Sequence, residues 1–171
     1  KQFNLQIVKL QQNVLSMETL NPTPATESIN VFLIGNNPIE LSSIYDKLKE
    51  IKSRTFKTEI GFELKGLVNK IRRFSPSCIL IDDNLSRLDI TKLIKRLSSD
   101  NKTKNIPITV IKNSNYKEGF GEVQDYVLKE SMTSDMLSHS ILNAIKFKRM
   151  QTYVVKKYKK NKSRVMSLLQ G

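Results

Sequence analysis

Residues 76–86, Pro-Ser-Cys-Ile-Leu-Ile-Asp-Asp-Asn-Leu-Ser, constrain the fold more than any other stretch of the chain. The apolar run from Cys78 to Ile81 leads straight into the carboxylate of Asp82. A short unbroken apolar run bounded by turn residues reads as a strand buried on both faces, which is what a parallel sheet covered by helices requires. In such sheets the functional crevice lies at the carboxyl ends of the strands, where Asp82 falls. The plainer alternative is that Asp82 and Asp83 open a loop and cap the next helix.

The flanking sequence repeats this strand-then-helix alternation. Val31-Phe32-Leu33-Ile34 reads as a buried strand broken by Gly35-Asn36-Asn37-Pro38. Pro38 opens a helix to about residue 52, with Leu41, Ile44, Tyr45, Leu48 and Ile51 on one face. Residues 55–62 alternate as a second strand, and Leu64, Leu67, Val68, Ile71 and Phe74 mark a second helix ending before Pro76. A third helix is expected over 88–99 and a fourth strand over 106–111, with Pro107 at its entrance. Residues 113–122 are polar and leave room for a short, weakly specified fourth helix. Tyr126-Val127-Leu128 is a fifth strand, and Thr133 or Ser134 caps a fifth helix that continues toward Leu169. The expected fold is α/β: a doubly wound, five-stranded parallel sheet with helical extensions at both ends.

Three regions follow. Residues 1–28 hold an amphipathic helix, with Phe3, Ile7, Leu10, Val14 and Met17 on a seven-residue repeat, and a Pro-containing linker. Residues 29–146 form the α/β domain, and residues 147–171 a basic helical extension. The single cysteine, Cys78, excludes an internal disulfide and lies in the core run, and the single His139 has no partner motif. No signal-peptide pattern or long apolar run is visible, so a cytoplasmic protein is expected.

Charge is distributed unevenly. From Met136 onward there is no Asp or Glu, while Lys146, Lys148, Arg149, Lys156, Lys157, Lys159, Lys160, Lys162 and Arg164 supply nine of the 29 basic residues. The formal net charge of +13 therefore resides mainly in the last segment, which points to an anionic partner rather than to fold.

Residues 30–146 resemble the receiver domain of two-component response regulators, the flavodoxin-like module phosphorylated on aspartate in phosphorelay signalling. The resemblance is carried by residues 31–38, Pro76 to Leu85, Ile106-Pro107-Ile108 and Asp125-Tyr126-Val127-Leu128-Lys129. It implies that Asp82 stands at the phosphoacceptor position, Lys129 at the invariant lysine and Tyr126 at the switch aromatic. The acidic pair that holds a divalent cation in the family falls on Gly35 and Asn36, or on Asn36 and Asn37, and neither register supplies a carboxylate. The family's hydroxyl residue falls on Lys112, and the proline after the lysine on Glu130.

These departures suggest a degenerate receiver with Asp82 as the only assured carboxylate, no metal and no cofactor. Mg²⁺ is a hard cation bound through carboxylate and phosphate oxygens, and phosphoryl transfer relies on it. Lys112 and Lys129 could together replace its charge beside Asp82, or Lys112 could point into solvent. The expected function is signalling through protein contact, as a partner-docking module or a dimer built on the terminal helices and the fifth-helix face. The alternatives are an authentic phosphoacceptor using Asp82 with Mg²⁺, and nucleic-acid binding through the basic helix. Membrane-surface contact by that helix ranks below these, because its apolar face is thin. A conventional enzyme is not expected: there is no Gly-rich phosphate loop, nucleophile set or metal cluster in the sequence.

Overall fold

The computed structural model describes residues 28–114 and 119–169. The amphipathic stripe of residues 3–19 and the linker after it lie outside the described residues. Strands β1 (Ile29–Ile34), β2 (Phe56–Gly61), β3 (Cys78–Asp82), β4 (Ile108–Lys112) and β5 (Asp125–Leu128) form one parallel sheet in the order β2-β1-β3-β4-β5. The chain winds outward from β1 to β2, then crosses back to β3. That reversal opens a crevice at the carboxyl ends of β1 and β3.

Side chains alternate between the two faces of each strand, so each face has its own core. Phe32, Ile34, Ile79, Ile81 and Val110 pack against helices α2 (Leu67–Phe74) and α3 (Arg87–Ser99). Val31, Leu33, Leu80, Ile111 and Val127 pack against α1 (Pro38–Glu50) and α4 (Ser134–Leu169). Every residue of β3 and β4 is buried, as the unbroken apolar run required. Cys78 is part of that interior, and burial pushes its thiol up to about 12, which leaves it protonated and inert.

Local chemistry sets the helix starts. Asn37 caps α1, its Oδ1 accepting from the N–H groups of Ile39 (3.1 Å) and Glu40 (3.4 Å), with Pro38 at the first position. Ser86 caps α3, and Thr133 rather than Ser134 caps α4, its Oγ1 accepting from Met136 N at 3.2 Å. The weakly specified helix between β4 and β5 is not found among the described residues, where Gly119, Phe120 and Gly121 lie in irregular chain. Phe120 nonetheless reaches the core, 7% exposed.

Helix α4 runs unbroken through Phe147, so the basic extension is the same helix that closes the domain. Leu137, Ile141 and Ala144 are buried against the sheet, and burial ends after Thr152. There α4 leaves the amino-terminal edge of the sheet, forming one wall of a cleft with Pro76, Ile106 and Pro107 on the other. No helix among the described residues is long and apolar enough to cross a membrane.

Candidate functional site

Asp82 ends β3 with 0% of its surface exposed, at the mouth of the β1–β3 crevice. Lys129 begins the short 3₁₀ turn that follows β5, and its Nζ lies 2.5 Å from Asp82 Oδ1. The same ammonium pairs with Glu40 and stands 4.0 Å from Asp83 Oδ1. Lys129 is thus clamped between the end of β3 and the first turn of α1.

Sequence reasoning missed Glu40, and the expectation that Asp82 stands alone is corrected accordingly. A signal was available: Asn37 and Glu40 have the spacing of a helix cap and its third residue, which fixes a carboxylate over the helix start. Asn37 Nδ2 donates to Glu40 Oε1 at 3.4 Å, which steers the other oxygen toward Lys129.

Two further asparagines complete the site. Asn84 donates from its backbone to Asp82 Oδ1 (3.2 Å) and from its side chain to Oδ2 (3.4 Å). Asn113, just past β4, donates from its backbone to both Asp83 oxygens (3.1 and 3.0 Å) and from Nδ2 to Asp83 Oδ1 and Asn84 Oδ1 (both 2.7 Å). The carboxyl ends of β3 and β4 are therefore laced together by neutral amides.

The electrostatics follow from burial and this pairing. Burial raises the Asp82 carboxyl above its usual range, against the pull of Lys129 and the Asn84 N–H. Burial also opposes the Lys129 charge, but Asp82 and Glu40 outweigh it and the ammonium pKa is raised. Glu40 is held below the usual carboxylate range, chiefly by the Lys129 hydrogen bond. A depressed carboxyl contributes stability above its ordinary pKa, about 4.3, that is lost as pH falls through the folded value. The urea-midpoint advantage of the native chain over Glu40→Gln is therefore expected to be full at neutral pH and to be lost progressively as pH falls below about 4.3. A constant difference across that range would contradict the pairing.

The remaining sequence-selected residues are placed as follows. Gly35 is buried beside Asp82: a Cβ there would lie 3.0 Å from Asp82 Cβ and 2.8 Å from Leu41 Cδ2. Asn36 turns its amide to Asn84 O at 3.3 Å, and Asn37 is occupied as the α1 cap. Lys112 is only 5% exposed, so it does not point into solvent. Its Nζ stands 5.0 Å from the centre of the Tyr126 ring, and the charges that act on Asp82 are those of Lys129 and Glu40. Tyr126 is half-exposed, and its hydroxyl accepts from Phe120 N at 3.0 Å.

A receiver-type site would imply a divalent cation against Asp82, and the residues present do not fit one. Gly35 leaves no room for a ligating side chain without displacing Leu41, Asn36 is engaged elsewhere, and Lys129 already covers Asp82 Oδ1. Among the described residues no group of His, Cys, Asp and Glu is arranged to hold a metal.

The sequence matches no protein-family model and no curated relative. Solved structures do match, and several are described as signal receiver domains or response regulators. The receiver domain of a sensor histidine kinase from Pseudomonas aeruginosa, described with a magnesium ion coordinated in its active-site cleft, is 16% identical. It aligns over 70% of this chain and 98% of its own, with a TM-score of 0.59. A putative response regulator from Chloroflexus aurantiacus is 15% identical over the same shares, with a TM-score of 0.60. A response regulator from Desulfuromonas acetoxidans is 18% identical, again over 70% and 98%, with a TM-score of 0.58. The chain therefore has the receiver fold, and the sequence resemblance is supported at the level of architecture.

Proposed function

We propose that this chain is a signalling module of receiver type that works by binding a protein partner and does not depend on metal-assisted phosphorylation of Asp82. The observation that carries the reading is Lys129 ion-paired to both Asp82 and Glu40, at a crevice where Gly35, Asn36 and Asn37 supply no carboxylate. Phosphoryl transfer to a carboxylate requires an accessible oxygen and a cation that neutralises charge on the donor. Asp82 is buried, one of its oxygens is ion-paired, and the other accepts from Asn84. The clamp holds the crevice in a single arrangement, so the module presents a constant surface.

The authentic phosphoacceptor remains the second reading, because Asp82 and Lys129 retain the adjacency that such chemistry uses. Incubation with acetyl phosphate and Mg²⁺, followed by intact mass spectrometry, separates the two. Under the proposal the mass is unchanged. A gain of one phosphoryl group that Asp82→Asn abolishes would establish the second reading instead.

A further inference from the structure

Beyond Thr152, α4 continues for roughly 25 Å with its described side chains exposed, Tyr153 and Lys156 still lining the cleft that Pro76 and Pro107 close on the other side. One face of α4 from Phe147 onward carries no charge: Phe147, Met150, Gln151, Val154, Tyr158 and Asn161. Phe147, Gln151, Val154, Tyr158 and Asn161 follow each other at alternating steps of four and three, the seam of a coiled coil. The stripe is open to solvent, with Phe147 57%, Val154 62% and Tyr158 66% exposed. The rest of the surface is rich in lysine and arginine, with Tyr153 and Val155 also exposed, and holds no carboxylate.

We propose that this stripe docks an acidic amphipathic helix of a partner protein, one whose own apolar residues repeat every seven positions. On the seam's register Lys148, Lys157, Lys162 and Arg164 flank it on either side, while Arg149, Lys156, Lys159 and Lys160 lie on the far face. Flanking charges choose the partner in such pairs, and an all-basic flank selects an acidic one.

A second copy of this chain would set lysines against lysines with no carboxylate to relieve them. A nucleic acid would engage the cations but leave the exposed Phe147, Val154 and Tyr158 without a role. An anionic bilayer would have to accept Gln151 and Asn161 in the middle of the buried stripe, where a helical seam tolerates a polar residue as a register device. The surface lies at the end of the molecule away from Asp82, so it stands whether or not Asp82 accepts a phosphoryl group.

The test uses the full chain and a fluorescent synthetic peptide of a few heptads, with Leu and Ile at its seam and Glu at both flanks, read by anisotropy. The peptide is expected to bind. Val154→Asp should weaken it about tenfold or more, as should Lys157→Glu with Lys162→Glu. Lys156→Glu with Lys160→Glu, the same change of charge on the far face, should leave the affinity within about twofold. Circular dichroism checks that each variant keeps its helix. Absence of binding would overturn the proposal, as would equal losses from both lysine pairs, which would mean general attraction to polyanions. So would preferential binding of duplex DNA or phosphatidylserine vesicles, or a native dimer that Val154→Asp dissolves.

Discussion

Replacing Lys129 with methionine is expected to destabilise the domain by about 3 kcal/mol, because it leaves a buried carboxylate without its counter-charge. Asp82 has no exposed surface and Lys129 is its only ion-pair partner among the described residues. The effect should be strongly asymmetric. Asp82→Asn keeps the shape and still accepts from Asn84 N and from Lys129, whose charge retains Glu40. That variant is expected to lie within about 1 kcal/mol of native. In the double variant most of the Lys129→Met loss should return, since the stranded charge is gone. Urea denaturation of the four proteins measures this directly. A Lys129→Met loss below about 1 kcal/mol would put the pair in the class of exposed salt bridges and undo the argument.

Phe32→Ala is expected to cost about 4 kcal/mol, near the upper end for a large core deletion. The ring is fully buried on the α2/α3 face of β1 and meets Phe74 edge-to-face at 5.9 Å between ring centres. It also packs where Gly61 leaves space: a Cβ on Gly61 would lie 2.9 Å from Phe32 Cε1 and 2.4 Å from Leu67 Cδ1. Backbone and ring are fitted to each other there, so the cavity cannot collapse cheaply. The urea midpoint should fall with little change in slope, and a loss under about 1 kcal/mol would show that the site relaxes.

The sheet was legible because burial on both faces leaves a plain mark: apolar runs at 31–34 and 78–81, each ended by a turn signal, and the mostly apolar 106–111. Asp82 could be placed for the same reason, at the end of an apolar run, whereas Lys129 was reached through the resemblance to receiver domains. Glu40 was not legible by that route. It reaches the site from a helix turn, and only the capping geometry of Asn37 aims it at Lys129. Lys112 was hard for a different reason. Stacking over Tyr126 depends on how β4 and β5 lie side by side, which neither strand's sequence encodes alone.

The central claim is that the Lys129 ammonium, held by Asp82 and Glu40, occupies the electrostatic role that a divalent cation would play at this crevice. Titration with Mg²⁺, followed by NMR on the Gly35, Asp82, Asn84 and Lys129 signals, tests it most directly. The account predicts no saturable shift at any of these positions in the native chain. A saturable shift centred on Asp82 and Asn84, and lost in Asp82→Asn, would contradict it.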